Sequence, residues 1–290
     1  MDFNGNIVST ESTAKEKRHE EKTVVAKEKR DEEKIVSVTD INEDLSIEVS
    51  KISLHETAVH PLKKRLIVLD INGLLAAIVS PPPKDRKPDI SIGRRAIYKR
   101  PSYLDFLEFC LEKFEVGIWS SRLKKNVDRV IDYLMPSLKN KFLFCWDVSY
   151  CTETHFKTLE NKYKNVVFKD LRKLWDKYDP NLPWKKGYYN ESNTLLLDDS
   201  PYKALLNPPN TSIFPQTFCY HDENDSSLAE GGDLRVFLEG LTKAEDMRNY
   251  IKEHPFGQEA ISERSDSWNF YNQVIESLSA EKTMFDLKSK

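Results

Sequence analysis

The stretch RLIVLD, residues 65–70, decides the fold. Its middle four residues, Leu66-Ile67-Val68-Leu69, are apolar on both faces, and the run ends on the carboxylate of Asp70. An alternating run marks a strand with one wet face; a run apolar throughout marks a central strand of a parallel sheet. EVGIWSS (115–121) repeats the pattern and ends on Ser120-Ser121. NTLLLDDSP (193–201) repeats it again, ending on Asp198-Asp199, with Pro201 as its stop. KFLFCW (141–146) predicts another strand and SIFPQTF (212–218) a further short one. Amphipathic helices are expected at about 102–113, where Leu104, Phe106, Leu107 and Leu111 share helical spacing, and at 123–134. VFKDLRKLWDKY (167–178) is read as leading into a helix, and 233–254 and 266–279 as helices. Strands alternating with helices give an α/β fold with a Rossmann-like parallel sheet. Between these elements, 71–101 is read as a loop holding Gly73 and the Pro81-Pro82-Pro83 break, and 147–166 as a polar, irregular insertion forming a small cap over the site.

The chain has 290 residues, 39% hydrophobic and 31% charged, which is ample for a core. Its net charge of -3 does not suggest direct nucleic-acid binding. Residues 1–60 hold nine Lys/Arg against fourteen Asp/Glu and contain a twelve-residue repeat, KEKRHEEKTVVA (15–26) then KEKRDEEKIVSV (27–38). Too little apolar surface is available there to offset ordering entropy, so a disordered charged tail is expected. The folded domain is expected over 62–255, followed by a C-terminal helix and tail over 256–290. Cys110, Cys145, Cys151 and Cys219 form neither a disulfide scaffold nor a zinc-site spacing. No apolar run approaches a membrane span, and no apolar signal core opens the chain. A cytoplasmic or nuclear location is the expectation.

In an open parallel sheet, ligands sit beyond the carboxyl ends of the strands. If the strands ending in Asp70, Ser120 and Asp198-Asp199 are neighbours, their polar ends meet at one place. Carboxylates gathered together repel and require a cation. An all-oxygen set of few ligands suits Mg²⁺, which keeps part of its shell for waters and phosphate oxygens. Lys169 offers a further positive charge. Singly, each residue has a plainer role, since a strand-terminal Asp is often only a turn former or helix cap. The constellation carries the reading.

RLIVLDINGLL, KRPSYLDFLEF, VGIWSSR, FKDL and NTLLLDDSPYKALLNP occur in an order that resembles the RNA polymerase II C-terminal-domain phosphatases of the haloacid dehalogenase superfamily. The group includes the small, dullard-type and ubiquitin-like-domain CTD phosphatases, and the likeness covers about 62–252. It implies a haloacid dehalogenase fold and an aspartyl-phosphate mechanism. Asp70 matches the nucleophile, Ser120 the phosphate-binding hydroxyl, and Lys169 the lysine that neutralises phosphate and nucleophile. Asp199 matches the side-chain ligand of Mg²⁺, with Asp198 beside it and Asp70 and the backbone carbonyl of Asn72 completing the protein ligands.

Asn72 departs from that pattern. The family carries an Asp there, which protonates the leaving oxygen and then deprotonates the attacking water. An amide has no titratable proton, and losing such help typically costs roughly 10²–10⁴-fold. Asp85, Asp89 and Arg94, in the loop that follows, are the candidates for replacing it. The resemblance implies an Mg²⁺-dependent phosphatase-like protein for phosphoserine and phosphothreonine proteins, the polymerase tail among them, with weak turnover. The alternative is a pseudophosphatase that binds a phosphorylated protein partner without turnover. A small-metabolite phosphatase is a third reading.

Overall fold

The computed structural model describes residues 65–288, so the charged repeat lies outside the described residues. The central sheet is built from β1 (Leu66–Leu69), β5 (Glu115–Trp119), β6 (Cys145–Trp146), β9 (Thr194–Leu197) and β10 (Ser212–Ile213). Its order is β10-β9-β1-β5-β6, and every pairing is parallel. β1 lies in the middle, with Leu69 level with Ile118 of β5 and Leu197 of β9. That register sets Asp70, Trp119-Ser120 and Asp198 at one edge of the sheet.

The apolar run of β1 has a direct physical reason. Ile67 and Leu69 pack into one core with α1 (Tyr103–Lys113), α2 (Lys124–Leu134), α4 (Asp233–Leu241) and α5 (Met247–Glu253), through residues such as Phe106, Val127, Leu234 and Met247. Leu66 and Val68 pack on the opposite face with Trp119, Trp146, Leu171, Leu174 and Trp184. Both faces are buried, so alternation is absent. Each such side chain contributes roughly 1.5–3 kcal/mol on full burial.

Two antiparallel additions flank this sheet. Between β1 and α1, β2 (Ala76–Val79), β3 (Ile90–Ile92) and β4 (Arg95–Lys99) form a three-stranded sheet of order β2-β4-β3. The expected loop over 71–101 therefore carries three short strands. The second addition is a hairpin of β7 (Thr152–Lys157) and β8 (Asn165–Phe168). It corrects two expectations: the insertion at 147–166 is ordered, and Val167-Phe168 belong to a strand. The helix that follows, α3, covers only Arg172–Trp175. A short apolar run fits either period, and pairing with β7 decides it. The expected helix over 233–254 is two helices, broken where Asp246 caps α5 by accepting from the Asn249 N–H at 3.1 Å. The final helix, α6 (Trp268–Lys288), packs Tyr271 and Val274 against Val166, Phe168 and Tyr202.

Candidate active site

The three strand ends converge as the sequence predicts. Asp70 follows β1, with its N–H on the Leu197 carbonyl at 3.0 Å; Ser120 follows β5, with its N–H on the Trp146 carbonyl at 2.9 Å. Asp198 follows β9, with its N–H on the Ile213 carbonyl at 3.3 Å. The ladder thus extends one residue past each strand and fixes the polar side chains. Asp70, Ser120, Lys169, Asp198 and Asp199 are all buried. One carboxylate oxygen from each of Asp70, Asp198 and Asp199 lies within 4.8 Å of the others.

Two ammonium groups answer these three carboxylates. Lys169, directly after β8, donates to Asp198 Oδ2 at 2.5 Å and stands 3.3 Å from Asp70 Oδ1. Lys203 was not assigned from sequence, yet it donates to Asp70 Oδ2 at 2.8 Å and to Asp198 Oδ1 at 2.7 Å. It lies in the short 3₁₀ turn Pro201–Ala204 that Pro201 opens after the acidic pair. The signal was present in DDSPYK: a turn of that length folds the sixth residue back over the first. Burial alone would raise the Asp70 carboxyl, but Lys169 and Lys203 outweigh it and hold it well below the usual carboxylate range. Burial disfavours the Lys203 charge, and Asp198 and Asp70 more than reverse this, so the ammonium persists.

Asp199 is the acid left without a close cation. Its oxygens accept from the hydroxyls of Ser200 and Thr217, each at 3.0 Å, and Lys203 is 3.8 Å away. Burial, aided by the charges of Asp198 and Asp70, pushes its carboxyl up to about 6 despite Lys203. The chain at Gly73 has φ +83°, and a Cβ there would fall 1.8 Å from Asp199 Oδ2. Glycine therefore lets the loop backbone after Asn72 close onto this carboxylate. An uncompensated buried carboxylate next to Asp70 suits a hard cation.

A cavity of about 420 Å³ opens over this floor. Asp70, Asn72, Ser120, Ser121 and Ser200 line it, with four basic residues, Arg95, Arg122, Lys164 and Lys203. Arg95 comes from β4 and Lys164 from the turn of the β7–β8 hairpin, so both antiparallel additions contribute walls. Burial and then Arg95 pull the Arg122 pKa down. Among the described residues Asp70 is the one carboxylate lining the cavity.

Asn72 is held by donors. Its Oδ1 accepts from the Ile78 N–H at 2.8 Å and from Arg122 at 3.3 Å. The candidate replacements for its missing acid lie elsewhere: Asp89 accepts from the Lys99 N–H at 2.7 Å, and Asp85 pairs with His221 at 3.4 Å. Arg94 does not line the cavity; its neighbour Arg95 does.

The model of the NLI interacting factor-like phosphatase family matches residues 65–248. An FCP1 homology domain-containing protein of Schizosaccharomyces pombe, itself uncharacterized, is 24% identical over 221 residues, covering 75% of this chain and 88% of that protein. The ubiquitin-like domain-containing CTD phosphatase 1 of Danio rerio is 28% identical over 195 residues, covering 66% of this chain. The chain spans 54% of the length of that second relative. The solved structure of Fcp1, an RNA polymerase II CTD phosphatase, overlays with a TM-score of 0.38 at 17% identity, covering 81% of this chain and 65% of that one.

Proposed function

Because the chain belongs to the NLI interacting factor-like phosphatase family, we propose that it binds phosphoserine and phosphothreonine proteins and transfers their phosphoryl group to Asp70 slowly. The observation that carries this reading is Asp70, kept ionised by two buried lysines on the floor of a basic cavity. Arg95, Arg122 and Lys164 attract the phosphate, and Ser120 offers a hydroxyl to an oxygen of the transferring group. An Asp70 oxygen attacks phosphorus; the bond from phosphorus to the substrate oxygen breaks, and its electron pair leaves with that oxygen. Asp70, Asp199 and the carbonyl of Asn72 would hold Mg²⁺ beside Asp198, and the ion would neutralise charge on the phosphate oxygens.

Asn72 limits both halves of this chemistry. No proton is available there for the departing alkoxide, and no base for the water that releases phosphate from Asp70. Phenolate, with a pKa of about 10, leaves without that proton far more readily than alkoxide. The second reading, a binding module for a phosphorylated partner, is favoured by the absence of any other acid along the cavity among the described residues. The polymerase tail is a candidate substrate, since the Danio rerio relative is a CTD phosphatase, and a nuclear or cytoplasmic setting accords with it.

The test is turnover with Mg²⁺ on an aryl phosphate and on phosphoserine peptides, for the native chain, Asp70→Asn and Asn72→Asp. A burst of about one phenol per chain followed by stalling, absent in Asp70→Asn, is expected. Turnover that survives Asp70→Asn sinks the assignment. No burst in the native chain, with turnover appearing in Asn72→Asp, establishes the binding module instead.

A further inference from the structure

The ammonium of Lys203 bridges two arms of the carboxylate floor, Asp70 and Asp198, while lining the cavity from below. Its backbone is fixed independently. The Lys203 N–H donates to the Ser200 carbonyl at 3.0 Å, and its own carbonyl accepts from Lys169 at 2.7 Å. The preceding residue, Tyr202, stacks on Tyr271 of α6 with ring centroids 5.5 Å apart. The charge is therefore in place before any ligand arrives, and little ordering entropy remains to be lost when one binds.

We propose that Lys203 is a tethered cation standing in for much of the neutralisation a divalent ion would provide, so that this pocket holds a phosphate dianion without metal and binds divalent metal weakly. The inference rests on the phosphate reading of the pocket. Three observations support it. First, Lys203 occupies one oxygen each of Asp70 and Asp198, two of the three acids whose oxygens gather as a metal would need. Second, three floor carboxylates face two ammoniums, leaving one negative charge; a divalent ion would turn the floor positive and repel Lys203. Third, only two of the three Lys203 protons have acceptors at hydrogen-bond distance among the described residues, which leaves one for a phosphate oxygen. With Arg95, Arg122 and Lys164 on the walls, the same cavity carries enough positive charge for a dianion.

The experiment is calorimetric titration of the full chain with inorganic phosphate, once in excess EDTA and once in Mg²⁺. Affinities within about threefold of each other are expected. Lys203→Met, with circular dichroism as the check on folding, should bind phosphate in EDTA at least about tenfold more weakly than native chain. The same variant should bind Mn²⁺ about tenfold more tightly, read from the free-ion EPR signal. If the native chain binds phosphate only with Mg²⁺, the tethered-cation role is overturned while the phosphate site stands. If it binds phosphate under neither condition, both fall. The native comparison decides the matter even if Lys203→Met does not fold.

Discussion

The floor of the site and its walls are built on opposite principles. The three floor carboxylates stand one or two positions beyond parallel strands, and four contacts of 3.3 Å or less join Asp70 and Asp198 to Lys169, after β8, and to Lys203, in the 3₁₀ turn. Much of the wall comes from antiparallel pieces inserted between sheet elements, which carry Ile78, Arg95, Asn161 and Lys164, with Arg122 added from the segment after β5. A buried ion pair tolerates little change, because removing one partner strands the other in low dielectric. A solvated cation on a hairpin tolerates much. On the proposed function, the floor sets which chemistry is available, and the walls set how strongly a phosphorylated ligand is gathered. Asn72 belongs to both regions: its backbone follows β1, while its side chain is anchored to Ile78 on β2.

The sharpest way to probe that boundary is Asn72→Asp. It should raise turnover of an aryl phosphate by roughly 10²–10⁴-fold by supplying the base for phospho-Asp70 hydrolysis. Because Arg122 would hold the new carboxylate ionised, phosphoserine peptides should gain less, and the steady-state rates on the two substrates measure the gap. Breaking the floor itself is the next test. Asp198→Ala leaves two buried lysines with Asp70 as their one remaining close carboxylate, and a loss of about 3–5 kcal/mol in denaturant unfolding is expected. A third test titrates the floor. Folded Asp199 keeps its proton up to about pH 6 and the unfolded group only to about 3.8. Between those values the native state binds more protons, so stability falls as pH rises, by on the order of 3 kcal/mol in EDTA. Saturating Mg²⁺ should flatten that slope if Asp199 is a ligand, as thermal unfolding at stepped pH will show. The mildest effect belongs to the wall. Lys164→Ala should weaken phosphopeptide binding about two- to fivefold at low salt, with less effect at high salt and none on stability.

The same contrast explains what the sequence reveals. RLIVLD and NTLLLDD announce their strands because burial on both faces demands unbroken apolar runs, and a charge at the end of such a run has to face a site. Asp70, Ser120, Asp198 and Asp199 are legible for that reason, whereas the role of Lys169 is carried by the resemblance of FKDL to the family. Lys203 sits inside a quoted motif yet escapes notice, because its contacts arise from a 3₁₀ turn and not from any strand or helix period. The walls are harder still. AAIV and ISI are too short to show a period, and their register is fixed by pairing with β4. Val167-Phe168 read equally well as a helix start until Thr152 and Glu153 are seen opposite them. Short antiparallel pieces are specified by partners distant in sequence, which local patterns do not record.

The stacking of Tyr202 on Tyr271 reaches into practical protein work. The family match ends at residue 248, whereas the helix that clamps the Lys203 turn begins at Trp268. An expression fragment trimmed to the matched segment would remove that clamp and expose Val166, Phe168 and Tyr202 to water. It would resist hydrogen exchange less at Lys169 and Lys203 than the full chain does. Fragment boundaries for this fold are better drawn by the packing of aromatic rings than by where sequence similarity fades.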